Sequence, residues 1–310
     1  MELVTGGAGF IGSHLVDALV RMGKSVRVLD ELVSRPGDDG ARKHDRVAKF
    51  GRKVEFRRGD IRDPKVVKRA VQGVKRVYHL AHHTGARASL NHAAACLEVN
   101  VLGTQNVLEA MDAAQVRSLV LCSHAHVYGD SSHPSEESDP LEPVSPFGAS
   151  MVAAEALAAA WQSHSSGSVS IVRPFTTYGP RMPPTSGVRL FLEAIDAGKD
   201  VHLFGQDSSR DYVFASDVVR VLVEARRYRS KKRPAVFNVA TGHRTGITEL
   251  LREMEVTTGK LARPVVMPTQ PGDPQHMWGS PELTAATFGV RPSVPLAQGL
   301  QTTLDWLRRL

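Results

Sequence analysis

Short apolar runs alternate with longer amphipathic stretches through the first half of the chain. The apolar runs lie at Glu2–Thr5, Ser25–Asp30, Val54–Gly59, Arg76–Ala81, Ser118–Ser123 and Ser168–Arg173. After the first run, Ile11, Leu15, Leu19 and Met22 recur at helical spacing on one face. Nearly continuous apolar strands separated by helices are typical of a parallel sheet that is covered on both sides. The pattern predicts an α/β fold of the Rossmann type, a doubly wound parallel sheet with helices on both faces.

The regular alternation ends after Arg173, where a proline-rich stretch begins at Pro174. Shorter strand-like runs follow at Val201–Phe204 and Val236–Ala240, and Leu296–Leu310 has the spacing of an amphipathic helix. We therefore predict a Rossmann nucleotide-binding domain over residues 1–173, to which 211–240 returns, and a smaller α/β substrate-binding domain over 174–310. The smaller domain is expected to close over the carboxyl edge of the sheet, where such folds bind ligands.

The composition narrows the class of protein. The 310 residues are 42% hydrophobic and 23% charged, which suits a globular chain and excludes a coiled coil or a disordered one. The net charge of +7 fits an anionic ligand, and no zinc-finger, RNA-binding or helix-turn-helix signature indicates nucleic acid. Two cysteines fit a reducing cytoplasm. The apolar run Met151–Trp161 is too short to span a bilayer, so we expect a cytoplasmic protein without a membrane partner.

A glycine-rich turn follows the first predicted strand and opens the first helix. Gly6, Gly9 and Gly12 allow a tight turn and a close approach of the backbone to a pyrophosphate, which then faces the helix N-terminus. Asp30 ends the second strand, where a carboxylate can hold a ribose diol. The turn and the carboxylate together predict a dinucleotide-type ligand.

Further motifs are distributed along nearly the whole chain. They are Thr5–Gly12, Gly59–Ile61, His79–Ala81, Asn100–Thr104, Val127–Gly129, Arg173–Pro180, Arg210–Val213, Asp217–Val219, Phe237–Val239 and Pro271–Asp273. In this order they resemble the nucleotide-sugar epimerases and dehydratases of the extended short-chain dehydrogenase/reductase family. The resemblance implies a UDP-, GDP- or dTDP-hexose as ligand and a homodimer formed through the helices that carry Asn100 and Phe147.

The resemblance also implies roles for individual residues. Asp60 and Ile61 would face the adenine, Asp30 the adenosine ribose and Arg210 the diphosphate of the nucleotide sugar, while Asp273 would lie near its nucleotide. The remaining predicted substrate contacts are Arg181 and Arg189 beside the diphosphate, Phe204 near the nucleobase, and Thr176, Phe147 and Met151 in the pocket.

The start of the catalytic helix departs from the family pattern. Family members carry Ser-Pro-Tyr-x-x-Ser-Lys, whereas this chain has Phe147 at the tyrosine position and Met151 at the lysine position. The family's hydroxyl residue at the end of the fifth strand is replaced by His124. Phenylalanine has no exchangeable proton and methionine has neither charge nor donor. Losing a general acid/base typically costs about two to four decades in rate.

Histidines stand close to the positions that have lost these groups. His124 and His126 are two apart in a segment predicted to be extended, so their side chains share a face. The loop after the fourth strand holds His82 and His83, and either can approach this pair at the carboxyl edge. Imidazole serves as an acid/base near neutral pH and as a ligand for transition metals. We predict His83, His124, His126 and Tyr128 as catalytic residues, and the three histidines as ligands of a divalent Mg, Mn or Zn ion.

Three functions fit these observations. The favoured one is a nucleotide-sugar isomerase without net redox chemistry, a pyranose–furanose mutase that uses the histidines and a divalent metal, with NAD possible but not expected to turn over. The second is an NAD-dependent 4-epimerase or dehydratase in which His124, His126 or Tyr128 replaces the tyrosine. The third is a non-catalytic protein that binds nucleotide sugars.

Overall fold

A seven-stranded sheet forms the centre of the computed structural model, which describes residues 1–32, 45, 46, 48, 50–230, 233–268 and 271–310. In chain order the strands are β1 Glu2–Thr5, β2 Val26–Asp30, β3 Val54–Arg58, β4 Arg76–His79, β5 Ser118–Cys122, β6 Ser168–Pro174, β7 Thr176–Tyr178, β8 Asp200–Phe204, β9 Ser209–Arg210, β10 Tyr212–Phe214, β11 Ala235–Val239, β12 Thr245–Gly246, β13 Arg263–Met267 and β14 His276–Met277. The sheet has the order β11-β6-β5-β4-β1-β2-β3, and all its strand pairs are parallel.

Helices cover this sheet on both sides. The α-helices are α1 Phe10–Arg21, α2 Pro64–Val71, α3 Ala86–Asn91, α4 Ala93–Cys96, α5 Gly103–Ala113, α6 Pro146–Ser165, α7 Gly187–Asp196, α8 Ala215–Ala225, α9 Ile247–Thr258, α10 Glu282–Phe288 and α11 Leu296–Leu307, and a π-helical turn, Leu97–Leu102, joins α4 to α5. Neighbouring residues of β1 point to opposite faces: Val4 belongs to the core under α1, whereas Leu3 belongs to the core under α2 and α5. The predicted Rossmann architecture is therefore confirmed.

The local sequence explains most element boundaries. Leu15 and Leu19 of α1 are fully buried, whereas Met22 lies beyond the helix end and is exposed. Helix α6 begins where the Ser145 side chain accepts a hydrogen bond from the backbone N–H of Gly148, with Pro146 in the first turn. Burial on both faces accounts for the apolar strands, since every residue of β1, β2 and β5 is buried.

The chain beyond β6 builds a second, smaller core. Its buried members include Leu192, Val201, Leu250 and Leu300, which come from α7, β8, α9 and α11. Strand β11 lies within the segment 211–240 and pairs with β6 at the edge of the large sheet. The domain limits and the return of residues 211–240 to the larger domain stay predictions. No helix in the described part of the chain has the length and apolar character needed to cross a membrane.

Candidate active site

The glycine turn connects β1 to α1 at the point where the sheet order reverses. Because β1 lies between β2 and β4, a crevice opens at the carboxyl edge of the sheet there. Gly6 has a φ of +68°, and a Cβ at this position would lie 2.8 Å from the backbone nitrogen of Ala81. A Cβ on Gly12 would lie 2.1 Å from the carbonyl oxygen of Gly6. Both positions therefore require glycine, and with Gly9 they form a cradle lined by backbone.

Asp30 directs its carboxylate toward this cradle. Its Oδ2 accepts a hydrogen bond from the backbone N–H of Ala8 at 3.0 Å, and its Oδ1 accepts one from Leu32 at 3.0 Å. A carboxylate has about four acceptor positions, so these two bonds orient Asp30 and leave capacity for a ribose diol. The cradle and the carboxylate fit the adenosine half of a dinucleotide.

Asp60 and Ile61 lie on the loop that follows β3. The Arg62 guanidinium contacts Asp60 at 2.6 Å; burial alone would raise the pKa of Asp60, but its hydrogen bonds with Arg62 lower it. Ile61 is buried and packs against α5, where a Cβ on Gly103 would lie 2.5 Å from its Cδ1. Their contacts with adenine stay predictions.

A chain of polar contacts joins the predicted catalytic histidines to the predicted substrate residues. Nδ1 of His124 lies 2.8 Å from Nδ1 of His126, and Nε2 of His126 lies 3.6 Å from Oδ1 of Asp273. The same Asp273 oxygen lies 3.0 Å from a guanidinium nitrogen of Arg210. The segment is not extended as predicted, because a 3₁₀ turn, Ala125–Val127, begins directly after His124. The two imidazoles meet nonetheless.

The side chains at the two ends of this series of contacts, His124 and Asp273, have pKa values that are shifted by different causes. Burial, and then the neighbouring charge of His126, hold the pKa of His124 well below its usual 6.5. Burial would by itself raise the pKa of Asp273, but the hydrogen bond with His126 and the charge of Arg210 lower it to about 2. A neutral imidazole therefore lies beside a second imidazole that faces a permanently charged carboxylate.

Phe147 and Met151 are buried at the start of α6, and both belong to the apolar core. The Phe147 ring makes edge contacts with His124 at 5.4 Å and with His126 at 5.6 Å between ring centroids. Neither Phe147 nor Met151 bears a titratable group, whereas the two imidazoles in contact with Phe147 do.

The hydroxyl of Tyr128 is hydrogen-bonded to two buried protein side chains. Its hydroxyl donates to Oδ1 of Asn238 at 2.7 Å and accepts from Arg173 at 2.7 Å, and burial raises its pKa to about 12. Arg173 in turn makes a buried salt bridge with Glu155 at 2.6 Å. Both partners of the Tyr128 hydroxyl in this structure are protein groups, and its catalytic role stays a prediction.

His83 does not join the imidazole pair. Its Nδ1 lies 3.5 Å from Sγ of Cys96, while its backbone N–H donates to Asn100 at 2.6 Å. Among the residues that the structure describes, no group of three His, Cys, Asp or Glu side chains is arranged to hold a metal ion. The predicted metal centre at His83, His124 and His126 is therefore not formed, because the loop carrying His83 is tied to the turn that precedes α5.

Two predicted diphosphate ligands have other partners. Arg181 contacts Asp17 at 2.6 Å and so ties its loop to α1. Arg189 contacts Glu193 at 2.8 Å, one helical turn along α7, and lies over the ring of Trp306. In the ligand-free protein both arginines are thus paired with carboxylates, as Arg210 is with Asp273, and their contacts with a diphosphate stay predictions.

Phe204 and Thr176, two further predicted substrate contacts, lie in β8 and β7. Phe204 is 37% exposed at the end of β8, and the guanidinium of Arg87 lies 5.1 Å from its ring centroid. Thr176 is partly buried in β7 and donates its backbone N–H to Asp211. Arg87, which our sequence reasoning missed, also contributes to the low pKa of Asp273. Its position in the first turn of α3, directly after the loop that follows β4 at the carboxyl edge, is the signal that would have indicated it.

The glycine cradle at the reversal point and the oriented Asp30 are typical of the Rossmann class of nucleotide-binding folds. Comparison with protein families gives the narrower assignment. The chain belongs to the NAD dependent epimerase/dehydratase family, whose model matches residues 2–240.

Named relatives agree with this assignment. UDP-glucose 4-epimerase of Mycolicibacterium smegmatis is 34% identical over 99% of this chain and 98% of its own. A second relative is a tyrosine-to-phenylalanine mutant of UDP-glucuronic acid 4-epimerase from Bacillus cereus, in complex with UDP-4-deoxy-4-fluoro-glucuronic acid and NAD. It is 27% identical to this chain, has a TM-score of 0.94, and the match covers 100% of this chain and 99% of the relative. UDP-glucose 4-epimerase of Thermus thermophilus in complex with NAD is 32% identical with a TM-score of 0.91, covering 99% and 98%.

These comparisons overturn the favoured sequence-based function. These three relatives are 4-epimerases, two of them with NAD bound, and dTDP-glucose 4,6-dehydratases of Streptomyces niveus and Streptomyces griseus are also similar to this chain. The expectation that NAD would not turn over depended on the mutase and falls with it. The alternative, an NAD-dependent epimerase or dehydratase, is better supported.

Proposed function

We propose that this protein is an NAD-dependent nucleotide-sugar 4-epimerase in which the imidazole pair His124–His126 replaces the usual tyrosine. The observation that carries the proposal is the 2.8 Å contact between the two Nδ1 atoms. The other nitrogen of the His126 ring, Nε2, faces the carboxylate of Asp273. The family and the epimerases that resemble this chain over nearly its full length support the reaction type.

The residues of the crevice fit NAD. Gly6, Gly9 and Gly12 supply a cradle that any Cβ at Gly6 or Gly12 would obstruct, and Asp30 supplies an oriented acceptor for the adenosine ribose. NAD bound there would supply a reversible hydride acceptor for carbon 4 of the sugar, so that the hydrogen can return to the opposite face of that carbon. What the chain must add is a group that removes and returns the proton of the 4-hydroxyl.

The imidazole pair can do this through its shared hydrogen bond. A hydrogen bond between two Nδ1 atoms requires one of them to carry the proton. When His124 carries it, Nε2 of His124 has a lone pair and acts as a base. Nε2 of His124 then accepts the proton of the sugar hydroxyl while the Nδ1 proton shifts along the 2.8 Å bond to His126, so that the pair gains one proton and one positive charge. Reversing both transfers returns the proton to the sugar oxygen in the second half of the reaction.

Asp273 stabilises the intermediate charge. Once the sugar proton has moved to His124, the pair carries one positive charge, which His126 can share through its Nε2 toward the carboxylate. Because the pKa of Asp273 is held at about 2, this carboxylate is ionised at all working pH values. Asp273 thus acts as a positioning residue, comparable to the carboxylate that orients histidine in other acid/base sites.

The small number of titratable groups favours epimerisation over dehydration. An epimerase takes one proton from a hydroxyl and returns it, for which a single acid/base unit suffices. A 4,6-dehydratase must also remove a proton from carbon 5 and protonate the hydroxyl that leaves carbon 6. Beside Phe147, the imidazole pair is the titratable unit that we identify, so we assign the simpler reaction.

A nucleotide diphosphate is the anion that the cleft suits. Arg210 presents its guanidinium at the cleft, fixed by Asp273 and by the carbonyl oxygens of Ser209 and Gln275. Phe204 with Arg87 above its ring offers an aromatic surface for a base. The relative from Bacillus cereus holds NAD and a UDP-sugar analogue although one of its tyrosines is replaced by phenylalanine, so binding in that protein does not need that tyrosine.

A homodimer is also part of the proposal. The helical segment that carries Asn100 exposes Leu97 and Leu102 to the extent of 50% and 59%. Large exposed apolar side chains on one helical segment favour a protein interface. Light scattering of the purified protein gives the mass, and a monomer at micromolar concentration would remove this part of the proposal.

The assay that tests the function combines cofactor analysis with turnover. The purified protein is analysed for NAD and then incubated with UDP-glucose, UDP-glucuronic acid or dTDP-glucose, with and without added NAD or EDTA. We expect a 4-epimer of unchanged mass, identified by NMR, whose formation needs NAD and is insensitive to EDTA. Product that has lost water would assign a dehydratase, and turnover without NAD would reject the proposal.

A second candidate is a non-catalytic nucleotide-sugar-binding protein. The observation that favours it is the burial of Phe147 and Met151 in the core, where the family has its tyrosine and lysine. Binding of nucleotide sugar without turnover of any of the three substrates would support this candidate over the epimerase.

A further inference from the structure

The Nε2 atom of His82 is a buried polar atom that has no hydrogen-bond partner among the residues that the structure describes. The neighbouring His79 shows the opposite pattern. Its Nδ1 lies 2.7 Å from the hydroxyl of Thr5 and its Nε2 lies 3.0 Å from the hydroxyl of Thr104, so both ring nitrogens are satisfied. Buried polar groups are nearly always paired, and an unpaired one calls for a missing partner.

The location of His82 indicates what that partner is. It lies on the loop after β4, one residue beyond the Ala81 backbone that approaches Gly6 of the cradle. Its ring lies 5.0 Å from the ring of His79, and it is close enough to His124 to affect that residue electrostatically. His82 therefore stands at the crevice, between the glycine cradle and the imidazole pair.

We propose that Nε2 of His82 binds the ribose on the nicotinamide side of NAD, in place of the ammonium group that Met151 cannot supply. Asp30 fixes the adenosine end beyond the cradle, so the His124 side of the cradle corresponds to the nicotinamide end. A ribose hydroxyl both donates and accepts, and so it matches a neutral imidazole nitrogen in either tautomer. This inference rests on the proposed binding of NAD.

Burial agrees with a neutral ring, since it lowers the pKa of His82 to about 4. The contact is therefore an uncharged hydrogen bond across the working pH range. Loss of such a bond should weaken binding by about tenfold, less than the loss of a charged lysine contact would.

The test uses two variants and three ligands. His82→Leu keeps the bulk of the side chain but removes the polar atom, whereas His82→Gln keeps a polar atom near the position of Nε2. Binding of NAD, ADP-ribose and ADP to each protein is measured by calorimetry, and the unfolding midpoint of each ligand-free protein is measured alongside. ADP-ribose contains the second ribose without nicotinamide, and ADP lacks both.

We expect His82→Leu to bind NAD and ADP-ribose about tenfold more weakly, to bind ADP as the wild type does, and to unfold at a temperature no lower than the wild type. His82→Gln should recover most of the affinity. The ribose contact would be overturned if His82→Leu bound ADP-ribose as tightly as the wild type does, if it lost the same affinity for ADP, or if it lost affinity for NAD alone. Each of these results would leave NAD binding intact. A wild-type protein that binds neither NAD nor ADP-ribose would overturn both this inference and the proposed function.

Discussion

Nδ1 of His124 lies 2.8 Å from Nδ1 of His126, so the two imidazoles form one titratable unit. The unit stands beside Phe147 and is backed by Asp273. Phe147, at the family's tyrosine position, thus lies beside two imidazoles that can pass a proton between them. The consequences of this arrangement can be measured.

Removal of either imidazole should abolish most of the turnover. We expect His124→Ala and His126→Ala to lower kcat by about two to four decades, since each removes part of the acid/base unit. Nucleotide-sugar affinity should change little, because Arg210 stays in place. The control is His133→Ala, whose side chain is exposed and contacts Asp139. Full activity in both histidine variants would contradict the assignment.

The pH dependence of kcat/KM should reflect the low pKa of His124. Only the unprotonated pair can accept the sugar proton, and the pKa of His124 is held well below 6.5 by burial and by the neighbouring His126. The acid limb of the profile should therefore fall below pH 6.5, with a plateau through neutral pH. A rate profile measured from pH 4.5 to 9 checks this expectation, and an acid limb above pH 6.5 would point to a different base.

Restoring the family residues should strengthen cofactor binding. In Phe147→Tyr with Met151→Lys, the new ammonium group can contact the cofactor, and a charged hydrogen bond is worth about 1.5–3 kcal/mol. The ligand-free double variant should be less stable, because Met151 is fully enclosed and a buried ammonium is costly. Calorimetry with NAD and thermal unfolding measure the two effects. The single variant Phe147→Tyr is the control, and equal NAD affinity in all three proteins would contradict the alignment of this helix.

The protein should lose stability as the pH falls from 6.5 toward 4. The pKa of His14 is lowered from 6.5 to about 4 by burial and by the charge of Arg181, so the unfolded chain binds more protons than the folded one in this window. The shift corresponds to at most about 3 kcal/mol, at about 1.36 kcal/mol per pKa unit.

His14→Gln keeps a donor for the carbonyl of Pro180, with which Nε2 of His14 makes a 2.8 Å contact. Urea unfolding at pH 7 and pH 5 should show a smaller difference for this variant than for the wild type. His164→Gln, at an exposed position of α6, provides the comparison. An equal loss of stability in His14→Gln would assign the acid sensitivity to other groups.

The sequence determined the fold and the cofactor cradle. Strand β1 has the bounds that its apolar run predicts, and most other predicted strands agree to within one or two residues. The requirement for glycine at Gly12 is local, because a Cβ there would meet the carbonyl oxygen of Gly6, whereas at Gly6 the backbone of Ala81 adds a tertiary constraint to the positive φ. Periodicity and turn chemistry act over a few residues, and such signals can be found in the sequence alone.

The tertiary structure decided which polar side chains form the site. The sequence predicts Arg181 and Arg189 as anion ligands, but it does not indicate that they pair with Asp17 and Glu193. Asp273 is distant in the chain from the imidazole pair that it supports, and His83 turns to Cys96 instead of joining that pair. The partner of a side chain depends on how separate elements pack, and periodicity along one segment carries no information about that packing.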